Sequence, residues 1–146
     1  AINNEHSLGI HPLTFIGKDK ETHLLDCFVS FVEKNMFTIS FSSIVPDLLP
    51  LISTSPVLYH AVIAVGALNA NRHAGGHALP ADAHPYVDAM TSYHRSMGIL
   101  RSCLVNQNVM QEEDILWATF FLGLFEVCLS PKDILLRKHK VHARLT

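Results

Sequence analysis

The feature that most constrains the fold is an uncharged, strongly apolar segment at residues 115–125. It contains Trp117 and three phenylalanines, and the first charged side chain after it is Glu126. The segment is shorter than the roughly twenty residues that a bilayer-spanning helix requires. Its large apolar side chains fall on nearly every side of a helix, so other helices have to cover them. We therefore predict no membrane span and a helix over residues 115–129 that is covered on most sides.

The clearest helix start in the chain is Ser55 followed by Pro56. A serine hydroxyl can accept a hydrogen bond from a free amide of the first turn, and proline has no amide hydrogen to satisfy there. The helix that follows is predicted over residues 56–71. Its side chains are small or branched, which lets neighbouring helices approach closely. This pattern predicts that the helix is central.

Four more helices are predicted from periodicity and start signals. The first covers residues 19–36, and a second begins at Pro46 and spans about two turns, because the residue before Pro50 disfavours helical angles. A basic helix is predicted over residues 132–145. The most amphipathic helix covers residues 82–104, where one stripe contains Tyr86, Met90, Tyr93, Met97, Leu100 and Leu104.

No segment shows the sustained alternation of a strand. Residues 37–41 alternate, but one short run cannot build a sheet, and we interpret it as an extended connector. Residues 1–18 are predicted to form an irregular arm, and residues 72–84 a glycine-containing loop. The sequence thus predicts an all-α protein with one helical domain over residues 19–146. The expected architecture is an irregular helical bundle or α-solenoid-like array of about six helices.

The charge of the chain argues against direct nucleic-acid binding through this segment. The formal net charge is -2 with ten histidines counted as neutral. Such a chain has no broad basic field to neutralise a phosphate backbone. A short basic group, typical of the solvated face of a helix, occurs near the end at Arg137, Lys138, Lys140 and Arg144.

The three cysteines indicate a reducing, intracellular environment. Cys27, Cys103 and Cys128 are odd in number, far apart, and set within apolar runs. They are expected to be small buried apolar side chains, since no pair has the spacing of a zinc site. Residues 1–17 show no secretory signal.

The polar residues supply no recognisable catalytic or metal-binding motif. His73, His77 and His84 lack cysteines or carboxylates at a spacing that would complete a metal site. His60 and His94 lie within predicted helices, where a lone histidine is usually a surface or hydrogen-bonded residue. Because no nucleophile elbow, phosphate loop or dinucleotide motif is present, no catalytic residue and no cofactor are predicted. The sequence favours a binding or regulatory role over an enzyme.

One constellation could hold a hydrophobic small molecule. Methionine adapts to irregular shapes, and tyrosine and tryptophan place a polar atom at the edge of an apolar surface. The alternative, plain core packing, explains the same residues through the stability that buried large side chains supply. The candidate ligand-binding residues are Met90, Tyr93, Met97, Trp117, Phe120, Phe121 and Phe125.

Several segments together resemble the fungus-specific transcription factor domain. They are LLDCFV at residues 24–29, LPL at 49–51, SPVLYHAVIAVGAL at 55–68 and LWATFFLGLFE at 116–126. In that family the apolar helix is followed by a helix with a histidine, a hydrophobic residue, Gly-Ala and a leucine. His139, Val141, Ala143 and Leu145 match this order, whereas His142 stands in place of the glycine. The resemblance implies an all-helical regulatory region, and a nuclear location.

Two departures from the family pattern limit what the resemblance implies. The six-cysteine zinc cluster that precedes the domain in fungal activators is absent from this sequence, so DNA reading is not inherited. Family domains also continue for several helices, so residues 20–146 resemble the front half of one. The chain is then either a fragment or a shortened relative.

Two functional hypotheses follow. In the first, the chain is a regulatory module that passes a ligand or partner signal to a DNA-binding part. In the second, a stand-alone shortened relative binds or transforms a hydrophobic small molecule. Under either, half a domain with such an apolar helix should expose a large patch, which predicts a homo-oligomer or a protein partner.

Overall fold

The computed structural model describes residues 18–35, 44–73, 84–105 and 112–129, and in these ranges every regular element is an α-helix. The all-α prediction is confirmed. Lys18, predicted to end the irregular arm, begins α1 instead, and the rest of the arm lies outside the described residues. The connector at 37–41, most of the 72–84 loop and the helix at 132–145 lie outside them as well. The five helices are α1 (Lys18–Lys34), α2 (Val45–Thr54), α3 (Pro56–His73), α4 (Pro85–Val105) and α5 (Glu113–Cys128).

Helix α3 is the centre of the fold, as its small side chains predict. Every residue from Val57 to Asn69 is buried, and α3 contacts each of the other four helices. Ala61, Ala64 and Ala67 are completely buried. Because these side chains occupy little space, neighbouring helices pack close to the α3 backbone on several sides.

The closest approach to α3 is that of α1 at Gly66. A Cβ atom at this position would overlap the carbonyl oxygen of Leu24 and would lie 3.3 Å from the backbone nitrogen of Phe28. One turn further along α3, the Asn69 side-chain amide donates a hydrogen bond to the carbonyl oxygen of Cys27 at 3.0 Å. The backbones of α1 and α3 therefore touch, and the contact requires glycine because it leaves no room for a side chain.

Ser55 caps α3, as the sequence predicts, and it also positions α5. Its buried Oγ accepts a hydrogen bond from the backbone N–H of Leu58 at 3.4 Å and donates one to the Asp114 carboxylate at 2.6 Å. At the opposite end, the Arg72 guanidinium donates to the carbonyl oxygen of Cys128. One hydrogen bond thus connects the N-terminal ends of α3 and α5 and another connects their C-terminal ends, so the two helices are parallel.

Replacing Ser55 by alanine is expected to lower the free energy of unfolding by about 1–2 kcal/mol, because a helix cap and a buried hydrogen bond are lost together. Urea denaturation followed by circular dichroism measures the change. Ser53→Ala is the matched control, since the exposed Ser53 hydroxyl donates only within its own helix, to the Pro50 carbonyl oxygen. Equal stability losses in the two variants would contradict the double role of Ser55.

The prediction of a short α2 of about two turns underestimates its length, because α2 covers ten residues and continues through Pro50 to Thr54. Proline removes one backbone hydrogen bond from the helix interior. Burial of Leu48 and Ile52 in the core offsets this loss, and α2 packs on α3. The hydroxyls of Ser53 and Thr54 also donate to the carbonyl oxygen of Pro50, at 2.8 and 3.0 Å.

The predicted α4 stripe is only partly correct, because Leu100 is buried, its methionines and tyrosines are half-buried, and Leu104 is exposed. The side chains that enter the core are Ala89, Ser92, Ser96 and Leu100. Ser96 Oγ donates a hydrogen bond to the carbonyl oxygen of Val57 in α3 at 2.7 Å. Small residues face α3 because α3 itself presents small residues, and two such faces bring the helix axes close together. The larger side chains of the stripe lie along the edge of this contact.

The cysteines are less buried than the sequence indicates. All three are free thiols and are half-buried rather than buried. Burial raises the pKa of the Cys27 thiol, and the neighbouring Asp26 carboxylate adds to the shift. In the described ranges, each helix is too short or too polar to cross a membrane.

Candidate functional site

The aromatic candidate ligand-binding residues form two groups, one between α4 and α5 and one between α1 and α5. In the first group, the Tyr93 ring stacks on Phe125, with ring centroids 4.7 Å apart and planes 17° apart. The Tyr93 hydroxyl donates a hydrogen bond to the Glu126 carboxylate. Phe125 is buried, whereas Tyr93 is half-buried. This group therefore ties the middle of α4 to the end of α5.

The second group surrounds Phe121 of α5. Trp117 stacks on Phe121 with centroids 5.8 Å apart, and Phe28 of α1 meets Phe121 edge-on at 5.1 Å. Phe120 contacts both Trp117 and Phe121 edge-on, at 6.0 and 5.3 Å. Phe121 is completely buried, Trp117 is half-buried and Phe120 is partly exposed. Phe121 thus joins α1 to α5 in the core.

The seven candidate residues have different structural roles. Phe121 and Phe125 are among the largest fully buried side chains of the protein, and they serve as core anchors. Met90 and Met97 are half-buried and pack against the same core. Side chains with accessible surface, which a hydrophobic ligand would need, are therefore the other five of the set. Ligand binding by these residues stays a prediction.

The expectation that α5 is covered on most sides is wrong in the described part of the chain. Helices α3 and α4 pack on one side of α5. The opposite face exposes Leu116, Phe120, Gly123 and Val127, which we call the α5 stripe. The composition of residues 115–125 shows that apolar side chains surround the helix, but the number of neighbouring helices decides how many of its sides are buried.

His60 is a buried polar residue that sequence reasoning assigned to the surface or to a hydrogen bond. It is 1% exposed, and its Nδ1 has no hydrogen-bond partner in the part of the chain that the structure describes. Burial lowers the pKa of His60 to about 4, and the nearby Arg95 guanidinium adds to the shift. The sequence does contain a signal for the burial of His60, because this histidine lies inside an otherwise apolar run. The structure shows that this run is buried.

Tyr59 places a second polar group in the core beside His60. The two rings meet edge-on with centroids 5.1 Å apart, and the Tyr59 hydroxyl is buried. Burial raises the pKa of Tyr59 to about 12, and the negative charge of Glu21 in α1 contributes to the rise. The Glu21 carboxylate influences the Tyr59 hydroxyl through its charge. Within the described ranges, the Tyr59 hydroxyl has no hydrogen-bond partner of acceptable geometry.

Two of the three histidines considered above as possible metal ligands lie at the ends of different helices. His73 lies at the exposed end of α3, where its Nδ1 is 2.9 Å from the carbonyl oxygen of Asn69 in the same helix. His84 is exposed at the start of α4, and His77 lies outside the described residues. Among the residues that the structure describes, no three histidine, cysteine or acidic side chains lie close enough to hold a metal ion.

Comparison with known families decides what kind of domain these helices form. The model for the fungal specific transcription factor domain matches residues 23–143. The chain belongs to this family. The matched range begins within α1 and contains all of α2, α3, α4 and α5, so Gly66, His60 and the α5 stripe are parts of a fungal-specific transcription factor domain. Searches of curated proteins and of solved structures gave no match.

Proposed function

We propose that this fungal-specific transcription factor domain is a regulatory module that acts in the nucleus by binding a protein partner. The observation that carries the proposal is the family match over residues 23–143. The net charge of -2 gives the chain itself no broad basic surface for DNA. A regulatory domain of this family would therefore act on DNA indirectly, by passing a signal to a DNA-binding part.

The α5 stripe supports partner binding as the mode of action. Contiguous apolar side chains on the surface of a folded protein commonly mark an interaction site. In this protein they lie on one face of α5, and none of the four stripe residues is charged, while Glu126 beside Val127 accepts a hydrogen bond from Tyr93. Removing such a surface from water favours association without the cost of burying a charge.

A reporter experiment tests the regulatory role. The chain is fused to an unrelated DNA-binding domain in a fungal reporter strain, and reporter output is expected to differ several-fold from that of the DNA-binding domain alone. Gly66→Ala should abolish the difference because it disrupts the contact between α1 and α3. Gly98→Ala is the matched control and should preserve it, since a Cβ at Gly98 meets no atom within 4 Å.

Equal reporter output from the fusion and from the DNA-binding domain alone, at matched protein levels, would reject the regulatory role. The hypothesis of a stand-alone binder or enzyme for hydrophobic small molecules takes second place. Two of its seven candidate residues, Phe121 and Phe125, already fill the core.

A further inference from the structure

The α5 stripe has a compact geometry that suits contact with another helix. Its residues are separated by four, three and four positions, which places them within about 60° of one another around a helix. Leu116 is 58% exposed, Phe120 41% and Val127 82%. Gly123 is also exposed, and a Cβ atom at this position would meet no atom within 4 Å. The stripe is therefore an apolar ridge with one gap in it.

The stripe is complementary in side-chain size to an antiparallel copy of itself. Its midpoint lies between residues 121 and 122. When a second α5 helix is laid across it in the opposite direction about this midpoint, Leu116 of each copy faces Val127 of the other. Phe120 of each copy then faces Gly123 of the other, so the largest side chain meets the gap. A two-fold axis generates both contacts twice, as a closed dimer requires.

The charges at the ends of the stripe favour the antiparallel arrangement. Glu112 and Glu113 lie at the start of α5 and are exposed. In a parallel pair these carboxylates would lie beside their copies and repel them. In an antiparallel pair the two acidic ends are at opposite ends of the interface. Between Leu116 and Val127 the one charged side chain is Glu126, whose carboxylate accepts a hydrogen bond from Tyr93 outside the stripe. The four stripe residues themselves offer no charge that would select an oppositely charged partner.

We propose that the α5 stripe is the contact surface for a second copy of this chain, with the two α5 helices antiparallel about the midpoint between residues 121 and 122. The proposal rests on the regulatory function proposed above, since it names the partner. If each exposed apolar side chain contributes on the order of 100 Å², the six side chains of the pair bury roughly 600 Å². Stable interfaces bury about 1,200 Å² or more, so these side chains alone support only a weak dimer that forms at high concentration.

Sedimentation velocity across a wide concentration range tests the dimer directly. The mass of the wild-type chain is expected to rise from one copy to two as concentration increases. Val127→Glu should weaken the association by about tenfold or more, because the dimer would bury an unpaired carboxylate. Val87→Glu is the matched control, since Val87 is 59% exposed on α4, outside the stripe, and should leave the association unchanged.

A charge swap tests the antiparallel register. Leu116→Glu and Val127→Lys should each weaken the dimer, while the double variant should restore it because each Glu then faces a Lys of the other copy. In a parallel dimer, like charges would face each other and the double variant would stay weak. Gly123→Leu should also weaken the dimer by filling the gap that Phe120 needs. Its control is Gly98→Leu on the exposed surface of α4.

Each outcome bears on one proposal. A chain that stays monomeric at the highest concentration overturns the dimer, as do equal losses in Val127→Glu and Val87→Glu or a double variant that is not restored. Binding of a different protein to the stripe of a monomeric chain overturns it as well. If the reporter responds while the chain is monomeric, the dimer alone is rejected. An intact dimer with a silent reporter rejects the regulatory function alone.

Discussion

Replacing Gly66 by alanine is expected to lower the free energy of unfolding by at least about 3 kcal/mol, a large part of the stability of an ordinary domain. The added Cβ would overlap the carbonyl oxygen of Leu24 and would lie 3.1 Å from its carbonyl carbon. Both atoms belong to the backbone of α1, so the overlap cannot be relieved by a side-chain rotation. Relief requires α1 to move away from α3, which loosens the packing of the α1 core residues Phe28 and Val32. Urea denaturation followed by circular dichroism measures the loss.

Two other glycines provide matched controls for the Gly66 variant. Gly98 in α4 and Gly123 in α5 are exposed, and a Cβ atom at either would meet no atom within 4 Å. Because glycine disfavours a helix interior relative to alanine, Gly98→Ala and Gly123→Ala should raise the stability by about 0.5–1 kcal/mol each. A Gly66→Ala variant as stable as the wild type would show that α1 and α3 do not touch at this point.

Acidification is expected to destabilise the protein through His60. The pKa of His60 is lowered from 6.5 to about 4 in the folded chain, first by burial and then by Arg95. The unfolded chain therefore binds a proton at a higher pH than the folded chain does. The stability that neutral His60 contributes is complete above pH 6.5 and falls as the pH drops towards 4. The pKa difference corresponds to a loss of up to about 3 kcal/mol over this range.

The contribution of His60 is isolated by comparing variants across pH. Other groups also titrate in acid, so the quantity to measure is the difference in unfolding free energy between the wild type and His60→Leu at each pH. This difference should shift by up to about 3 kcal/mol in favour of the leucine variant between pH 7 and pH 4. His23→Leu, at an exposed position of α1, is the matched control for the removal of a histidine. Parallel curves for His60→Leu and the wild type would refute the role of His60.

Several structural features were predictable from the sequence because their causes are local. The repeat of apolar side chains predicts α1, α4 and α5 to within a few residues, and Ser55-Pro56 predicts the start of α3. The central position of α3 follows from the small size of its side chains. The continuation of α2 through Pro50 was not predictable in this way. It depends on burying Leu48 and Ile52, a gain that only the packed helix receives.

The candidate site was only partly predictable. The sequence identified the aromatic residues of α4 and α5, and the structure places Tyr93 on Phe125 and Trp117 on Phe121. It did not separate the core anchors from the exposed members, because Phe120 and Phe121 are neighbours of identical chemistry. One points away from α3 and the other is completely buried, and this difference depends on how α5 is rotated against the fold.

The sequence by itself determined the helical class and the central helix, since periodicity, capping and side-chain size act within a few turns of the chain. It also determined the family, through the match over residues 23–143. The tertiary structure decided which side of each helix is buried, because that depends on helices distant in sequence. It brought Leu24 against Gly66 and enclosed the imidazole of His60. It also left the α5 stripe facing outwards. These features are set by packing between helices, because close packing fixes which atoms each side chain contacts, and helix propensity does not.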